Sequence, residues 1–143
     1  MEGMDGSSAS RLKGIESVPW GDLRHAYGRA TDVPTLLEML AEGSDEQRDH
    51  AVHELFGNIL HQGAVYEATA PAVPFLAALA RAENIPIHHR GKILYLLSAI
   101  ASGSSYLDVH RDMLFRNWTE KDEQDLAKEL RWVEAARRAV AEE

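Results

Sequence analysis

The sequence predicts an all-α fold, built as a short α-solenoid of about six or seven helices in antiparallel pairs. The main observation is a repeat: the segment Val33–Leu40 returns, forty residues later, as the segment Val73–Ala80, and each begins with a valine-proline pair. A second set of matches lies 42 residues apart. It pairs Arg48, Ala51, Val52 and Leu55 with Arg90, Ile93, Leu94 and Leu97. Units of this length have to stack on a neighbour to bury their apolar faces.

The first elements follow from spacing and capping residues. Trp20, Leu23 and Tyr27 lie at helical spacing and predict a short helix. Thr31 or Asp32 begins the next helix, which ends near Gly43. Ser44 and Gln47 form a capping-box pattern that opens a third helix to about Leu60. Gly57 lies inside this third helix, and a close approach of another helix would explain it.

Two prolines mark the next boundary. Pro71 and Pro74 predict a break near Thr69, followed by a helix to about Ala82. A further helix spans roughly Ile87–Ala101, and its continuous apolar run marks it as the most buried element. A helix around Val109–Trp118 and a long helix from Glu120 to about Ala141, capped by Thr119 and Asp122, complete the chain. No segment has a pattern typical of a strand.

Length and composition predict one folded domain. Residues 1–16 are polar and rich in glycine and serine, which predicts a flexible N-terminal segment, so the domain is expected to span residues 17–143. The absence of cysteine excludes disulfides and thiolate metal sites. No secretory signal or membrane-spanning run is recognisable, and a cytoplasmic protein is expected.

The net charge of −8 is unevenly distributed. The stretch from Asp32 to Glu67 contains eight acidic residues and a single basic one, Arg48, and therefore contributes −7. Binding to a phosphate backbone needs clustered Lys and Arg, so this stretch disfavours nucleic acid as a partner. It fits either a solvated surface that aids solubility or a surface that attracts a basic protein.

One segment carries a resemblance to a known family. The motif His61-Gln62-Gly63-Ala64-Val65-Tyr66-Glu67-Ala68-Thr69, followed by Ala72–Leu76, resembles a group of HEAT-like repeat proteins common in actinobacteria. The segments Trp20–Pro34 and Leu130–Val133 fit the same pattern, so the resemblance covers about residues 20–138. It implies a scaffold or partner-binding role, and some HEAT-like bacterial proteins are immunity proteins against toxins.

Two polar clusters are candidate sites. His50, His53 and Glu54 lie one helical turn apart, a spacing that suits zinc or iron, although a third ligand would have to come from elsewhere. An exposed polar helix face explains the same pattern without a metal. The second cluster is His61, Gln62, Tyr66 and Glu67. It predicts either a recognition patch between repeats or the capping of a helix end.

The run His88–Lys92 is the one locally basic segment, and it could hold a phosphate at a helix N-terminus or form ordinary surface charge. No phosphate-binding or nucleophile motif occurs, and no catalytic residue or cofactor is predicted.

The sequence therefore predicts a non-enzymatic interaction module: a scaffold, adaptor or immunity-type inhibitor that uses an acidic helical face to bind a protein partner with a basic surface. The alternative is a metal-binding protein or metal-dependent enzyme that uses His50, His53 and Glu54. The predicted partner-binding residues are Arg48, Asp49, His50, His53, Glu54, His61, Gln62, Tyr66 and Glu67.

Overall fold

The structure is a computed structural model that describes residues 12–114 and 117–143. In that part of the chain the fold is mostly helical. Two short 3-10 turns, Ile15–Ser17 and Trp20–Asp22, precede the longer elements. The α-helices are α1 (Val33–Glu42), α2 (Asp45–Asn58), α3 (Thr69–Ala80), α4 (Ile87–Ala101), α5 (Tyr106–Val109), α6 (Arg111–Leu114) and α7 (Glu120–Ala141).

Two β-hairpins correct the expectation that the chain contains no strand. In the first, β1 (Arg24–His25) pairs antiparallel with β2 (Gly28–Arg29) where a helix was predicted. In the second, β3 (Leu60–His61) pairs with β4 (Ala64–Val65). Its two turn residues, Gln62 and Gly63, both have positive φ, at 51° and 85°. Such turns match the twist of paired strands, which is why a two-residue loop suffices here.

The predicted helix starts agree with the structure at the capping boxes. Ser44 accepts from the amide of Gln47 while the Gln47 side chain accepts from the amide of Ser44, and α2 begins at the next residue. Thr119 and Asp122 make the same reciprocal pair at the start of α7. Each box satisfies backbone donors that a helix N-terminus leaves free.

The helices form two packed pairs and a closing helix. Helix α1 packs on α2, and α3 packs on α4; between the pairs, α1 contacts α3 and α2 contacts α4. Helix α7 packs on both α3 and α4. The core between them is aliphatic. Its largest fully buried side chains include Leu37, Leu40, Leu55, Ile59, Leu76, Leu79, Ile93, Leu96 and Ile100.

Several boundaries differ from the sequence prediction. Leu12 and Ile15 are buried in the core, so the folded domain begins before residue 17, while residues 1–11 of the predicted flexible segment lie outside the described residues. The helix expected over Val109–Trp118 is replaced by the two single-turn helices α5 and α6. Pro74 lies inside α3 rather than in its first turn.

The hairpins lie side by side at one edge of the helix pairs. The amide of Ala26 donates to the carbonyl of Asn58 (2.8 Å), and the amide of Ala68 donates to the carbonyl of Arg24 (2.9 Å). Beyond the second hairpin, the amide of Val65 donates to the carbonyl of Ser104 (3.0 Å). These bonds tie each hairpin to the next unit and fix the position of α2 relative to the first hairpin.

Candidate functional site

Two adjoining depressions lie along the exposed side of α2. The first, of about 460 Å³, is lined by His25, Tyr27, Asp32, His53, Glu54, Phe56, Gly57 and Asn58. The second, of about 730 Å³, is lined by Asp49, Val52, His53, Phe56, His88, Gly91, Lys92 and Tyr95. Because His53 and Phe56 line both, the two depressions form one continuous surface. We call it the α2 face.

A buried histidine forms the floor of the first depression. His25 Nε2 lies 2.8 Å from Asp32 Oδ1, while its Nδ1 accepts the amide of Tyr27 at 3.1 Å. An acceptor at Nδ1 places the ring proton on Nε2, where it is donated to the carboxylate. The lone pair that a general base would use is already bound to the backbone. This His–Asp pair therefore holds the hairpin to the start of α1 and has no free base function.

Asn58 completes this anchor. Its side-chain amide donates to Asp32 Oδ2 (3.4 Å), and its backbone carbonyl accepts from the amide of Ala26. Gly57, next to it, has open space where a Cβ would lie, so the expected close helix approach at this glycine is wrong. The glycine instead leaves the depression wide.

Arg48 is buried, although the sequence placed it among the residues that would contact a partner. Its Nε donates to the carbonyl of Leu40 (3.0 Å), and its Nη2 donates to that of Ala41 (3.4 Å). Both are free carbonyls at the C-terminal end of α1, where a cation is favoured. The single basic residue of the acidic stretch thus faces inward, and the carboxylates of α2 are left exposed.

The second depression lies where α2 meets α4. Asp49 Oδ1 lies 2.8 Å from His89 Nε2 and 3.2 Å from Lys92 Nζ. The hydrogen bond from Lys92, with a further contribution from His89, holds the pKa of Asp49 below its ordinary value. Beside this group, the rings of Phe56 and Tyr95 pack at a centroid separation of 5.7 Å. The depression is therefore charged at one end and aromatic at the other.

The residues of α2 that the sequence selected are otherwise exposed together. Asp49, His50, His53 and Glu54 all lie on the solvent side of the helix. His50, His53 and Glu54 do not appear in the group of described residues whose ligand atoms converge closely enough for a metal; that group is Asp49, His88 and His89. The prediction of a metal at His50, His53 and Glu54 finds no support in this geometry.

His61 and Gln62 lie in the second hairpin, near the first depression. His61 Nδ1 bonds the carbonyl of Gly57 (3.1 Å) at the end of α2, which agrees with the capping role that the sequence left open. Its ring also packs edge-on against Tyr27, at 5.4 Å between centroids. Gln62 occupies the turn itself and is exposed. His61 thus supports the rim of the α2 face.

Tyr66 and Glu67 belong to a different part of the surface. The ring of Tyr66 packs against Trp132 of α7 (6.3 Å), and its burial raises the pKa of its hydroxyl. Glu67 accepts the amide of Arg24 (3.1 Å) and lines a third depression, of about 430 Å³, with residues of α7. Apart from the buried Arg48, the residues predicted for partner binding therefore divide between two surfaces.

Sequence reasoning did not single out four residues of the α2 face: His25, Asp32, Tyr27 and Tyr95. Tyr27 and Tyr95 are 73% and 69% exposed, which is unusual for aromatic side chains in a folded domain. Tyr95 could have been found, because helical spacing places it one turn after Gly91 and Lys92, on the polar side of α4. Tyr27 could not, because its helical spacing from Trp20 and Leu23 suggested a buried position.

Comparisons with models of protein families, with curated proteins and with solved structures find no match to this chain. Among the described residues, no helix has the length and apolarity needed to cross a bilayer.

Proposed function

We propose that this protein is a non-enzymatic protein–protein interaction module, and that the α2 face binds a partner with a basic surface. The observation that carries the proposal is the pairing, on one continuous face, of two exposed tyrosines with the exposed carboxylates of an acidic helix. Tyr27 and Glu54 line the first depression, Tyr95 and Asp49 line the second, and Phe56 joins the two.

The aromatic residues supply the anchors of such an interface. Tyrosine is enriched among the residues that dominate binding energy, since it offers a large apolar ring and a polar tip. Tyr27 and Tyr95 are each held by an aromatic neighbour, His61 and Phe56 respectively. Side chains that are already held in place lose less conformational entropy when a partner binds.

The carboxylates supply the selection of the partner. Asp49 and Glu54 line the α2 face, Asp45 and Glu46 are exposed one turn before Asp49, and the only arginine of that helix is turned into the core. A negative face of this kind increases the rate of encounter with a basic partner and repels an acidic one. It also repels a phosphate backbone, which disfavours nucleic acid.

The proposed architecture behind this face is a short HEAT-like α-solenoid. The two helix pairs contact each other first helix to first helix and second helix to second helix, which is the contact pattern of stacked repeats. In this arrangement the second helices form one side, and the α2 face lies on it. The partner is bound by that side, and the mechanism is scaffolding or steric occlusion, as in an immunity-type inhibitor.

The test is capture of the partner from the lysate of the native host at low salt, with matched variants as bait. Glu54→Lys reverses one charge in the first depression and leaves the Asp49 network intact. Tyr27→Ala removes one anchor. We expect both variants to lose at least 90% of any stoichiometric partner that the unmodified chain retains.

The control is Glu83→Lys. Glu83 is exposed in the turn between α3 and α4, lines neither depression, and gives the same change in net charge. We expect it to retain the partner. Equal retention by all three variants, or equal loss, would show that the α2 face is not the binding surface.

A further inference from the structure

Three side chains from two helices converge at the junction of α2 and α4. Asp49 comes from the second turn of α2, and His88 and His89 come from the first turn of α4. One ligand atom from each of the three lies within 4.8 Å of the other two. The rings of the two histidines are 3.9 Å apart, centroid to centroid.

His89 has an unusual environment within this group. Its side chain is fully buried, and Nε2 contacts Asp49 Oδ1 at 2.8 Å. Its other ring nitrogen, Nδ1, is buried and has no hydrogen-bond partner among the described residues. The carboxylate oxygen Oδ1 of Asp45, which also lies 3.6 Å from Arg48 Nη1, is 4.0 Å from this Nδ1.

The tautomer of His89 explains why its Nδ1 has no hydrogen-bond partner among the described residues. An ionised Asp49 can only accept, so the ring proton of neutral His89 has to lie on Nε2. Nδ1 then carries a buried lone pair, with the carboxylate of Asp45 4.0 Å away. A buried polar atom without a partner is unfavourable, and native structures rarely leave one unexplained.

We propose that Asp49, His88 and His89 form a binding site for a zinc-type divalent cation. A cation bound at His89 Nε2 replaces the proton on that nitrogen, and the ring takes up a proton at Nδ1. Asp45 Oδ1 lies 4.0 Å from Nδ1, and a small movement of this exposed side chain brings it into hydrogen-bond range of the new N–H, as in the carboxylate–histidine–metal arrangement of protein metal sites. The ring stays neutral in total, so no net proton is released by His89.

The ligand set indicates the class of metal. Two imidazole nitrogens and one carboxylate oxygen suit zinc and its neighbours among the first-row metals, with water as a fourth ligand. His88 is exposed and gives the cation access from solvent. Lys92 neutralises Asp49 at present, but it is half exposed and its flexible side chain can move away when the cation binds.

This inference is independent of the proposed partner binding, although Asp49 and His88 also line the α2 face. A bound cation reduces the negative charge at one end of that face without touching Tyr27 or Glu54. Failure of metal binding therefore leaves the interaction proposal unchanged, and failure of partner binding leaves the metal proposal unchanged.

The test uses the full chain, produced without a histidine tag and freed of metal. Zinc is titrated by calorimetry, and cobalt is added as a spectroscopic probe of nitrogen and oxygen ligands. We expect one zinc per chain, and a loss of at least tenfold in affinity for His88→Ala. Because His88 is exposed, its removal leaves the fold intact. Asp45→Asn is expected to weaken binding about tenfold, as is usual for partners of metal-bound histidines.

His50→Ala is the matched control, since His50 is exposed on α2 directly beside Asp49. Its zinc affinity should equal that of the unmodified chain. Nitrogen NMR of His89 gives a second measurement: the proton should lie on Nε2 in the metal-free protein and on Nδ1 with zinc. A zinc affinity unaffected by His88→Ala, or a proton that stays on Nε2, would overturn the proposal.

Discussion

The two repeated units of this molecule, residues 24–58 and residues 60–101, have the same order of elements but opposite charge on their second helices. Each begins with a β-hairpin, whose two strands have two residues each, and continues with two packed helices. Helix α2 opens with Asp45 and Glu46, whereas α4 opens with His88 and His89 and continues with Arg90 and Lys92. The two helices lie side by side, and Asp49 is bonded to both His89 and Lys92.

Among the positions that the 42-residue repeat pairs, Ala51 and Leu55 are buried like their counterparts Ile93 and Leu97, whereas Val52 is buried and its counterpart Leu94 is 57% exposed. Arg48 and Arg90, which the repeat pairs, both donate from Nε to a backbone carbonyl, but the partner of Arg48 is Leu40 at the end of α1 and that of Arg90 is Ile85 in the turn before α4 (2.9 Å). Asp49 has Gly91 as its counterpart, 42 residues later. The carboxylate of Asp49 therefore lies opposite the basic start of α4, which favours the packing of α2 on α4. Glu54, which has no ion-pair partner among the described residues, remains free for a partner.

The largest expected effect comes from comparing the two arginines. Arg48→Ala removes a buried cation with two carbonyl partners and should lower the free energy of unfolding by about 2–3 kcal/mol. Arg90→Ala removes one bond from a half-buried side chain and should cost about 1 kcal/mol. Urea denaturation measures both. Equal losses of unfolding free energy would contradict the larger contribution expected from the buried Arg48.

The next largest effect on stability is expected from substitutions at two glycines. A Cβ at Gly103 would collide with the side chain of Val65, so Gly103→Ala should destabilise the fold by about 1–3 kcal/mol. A Cβ at Gly57 meets open space inside α2, so Gly57→Ala should stabilise by about 0.5–1 kcal/mol. Thermal unfolding distinguishes the two directions. A loss of stability at Gly57 would contradict the open depression described beside it.

The smallest expected effect is on the stability of the fold at acidic pH. The pKa of Asp49 is lowered, mainly by the hydrogen bond from Lys92, so its contribution to stability is complete above the ordinary value of 3.8. That contribution is lost as the pH falls from there through the lowered pKa. We expect Asp49→Asn to flatten this part of the stability profile. Glu54→Gln changes a carboxylate on the same helix that has no such hydrogen bond among the described residues, and it should leave the shape of the stability profile unchanged. Identical profiles for both variants would show that the contact of Asp49 with α4 does not contribute to the pH dependence.

The sequence was sufficient for most helices because their signals are local. The pairs Ser44–Gln47 and Thr119–Asp122 mark helix starts that the structure reproduces. The hairpins were missed because two-residue strands have too little alternation to detect, and Gln62–Gly63 is a weaker turn signal than an asparagine-glycine pair.

The candidate site was predictable only in part. The exposed side of α2 follows from helical periodicity, but three contacts depend on tertiary structure: the burial of Arg48, the contact of Asp49 with His89, and the meeting of Tyr27 with His61. From the sequence alone, His88 and His89 form part of a basic run. Nothing in the neighbouring sequence indicates that Asp49, about forty residues earlier, lies between His89 and Lys92.

The most direct test of the central claim is the salt dependence of affinity between the captured partner and three forms of the chain. The unmodified protein and Glu83→Lys should bind equally, and both should weaken as salt rises, because complementary charges on the α2 face are screened. Glu54→Lys should bind at least tenfold more weakly at low salt and show a smaller salt dependence. Equal affinities and equal slopes for Glu54→Lys and Glu83→Lys would contradict the assignment of the α2 face as the binding surface.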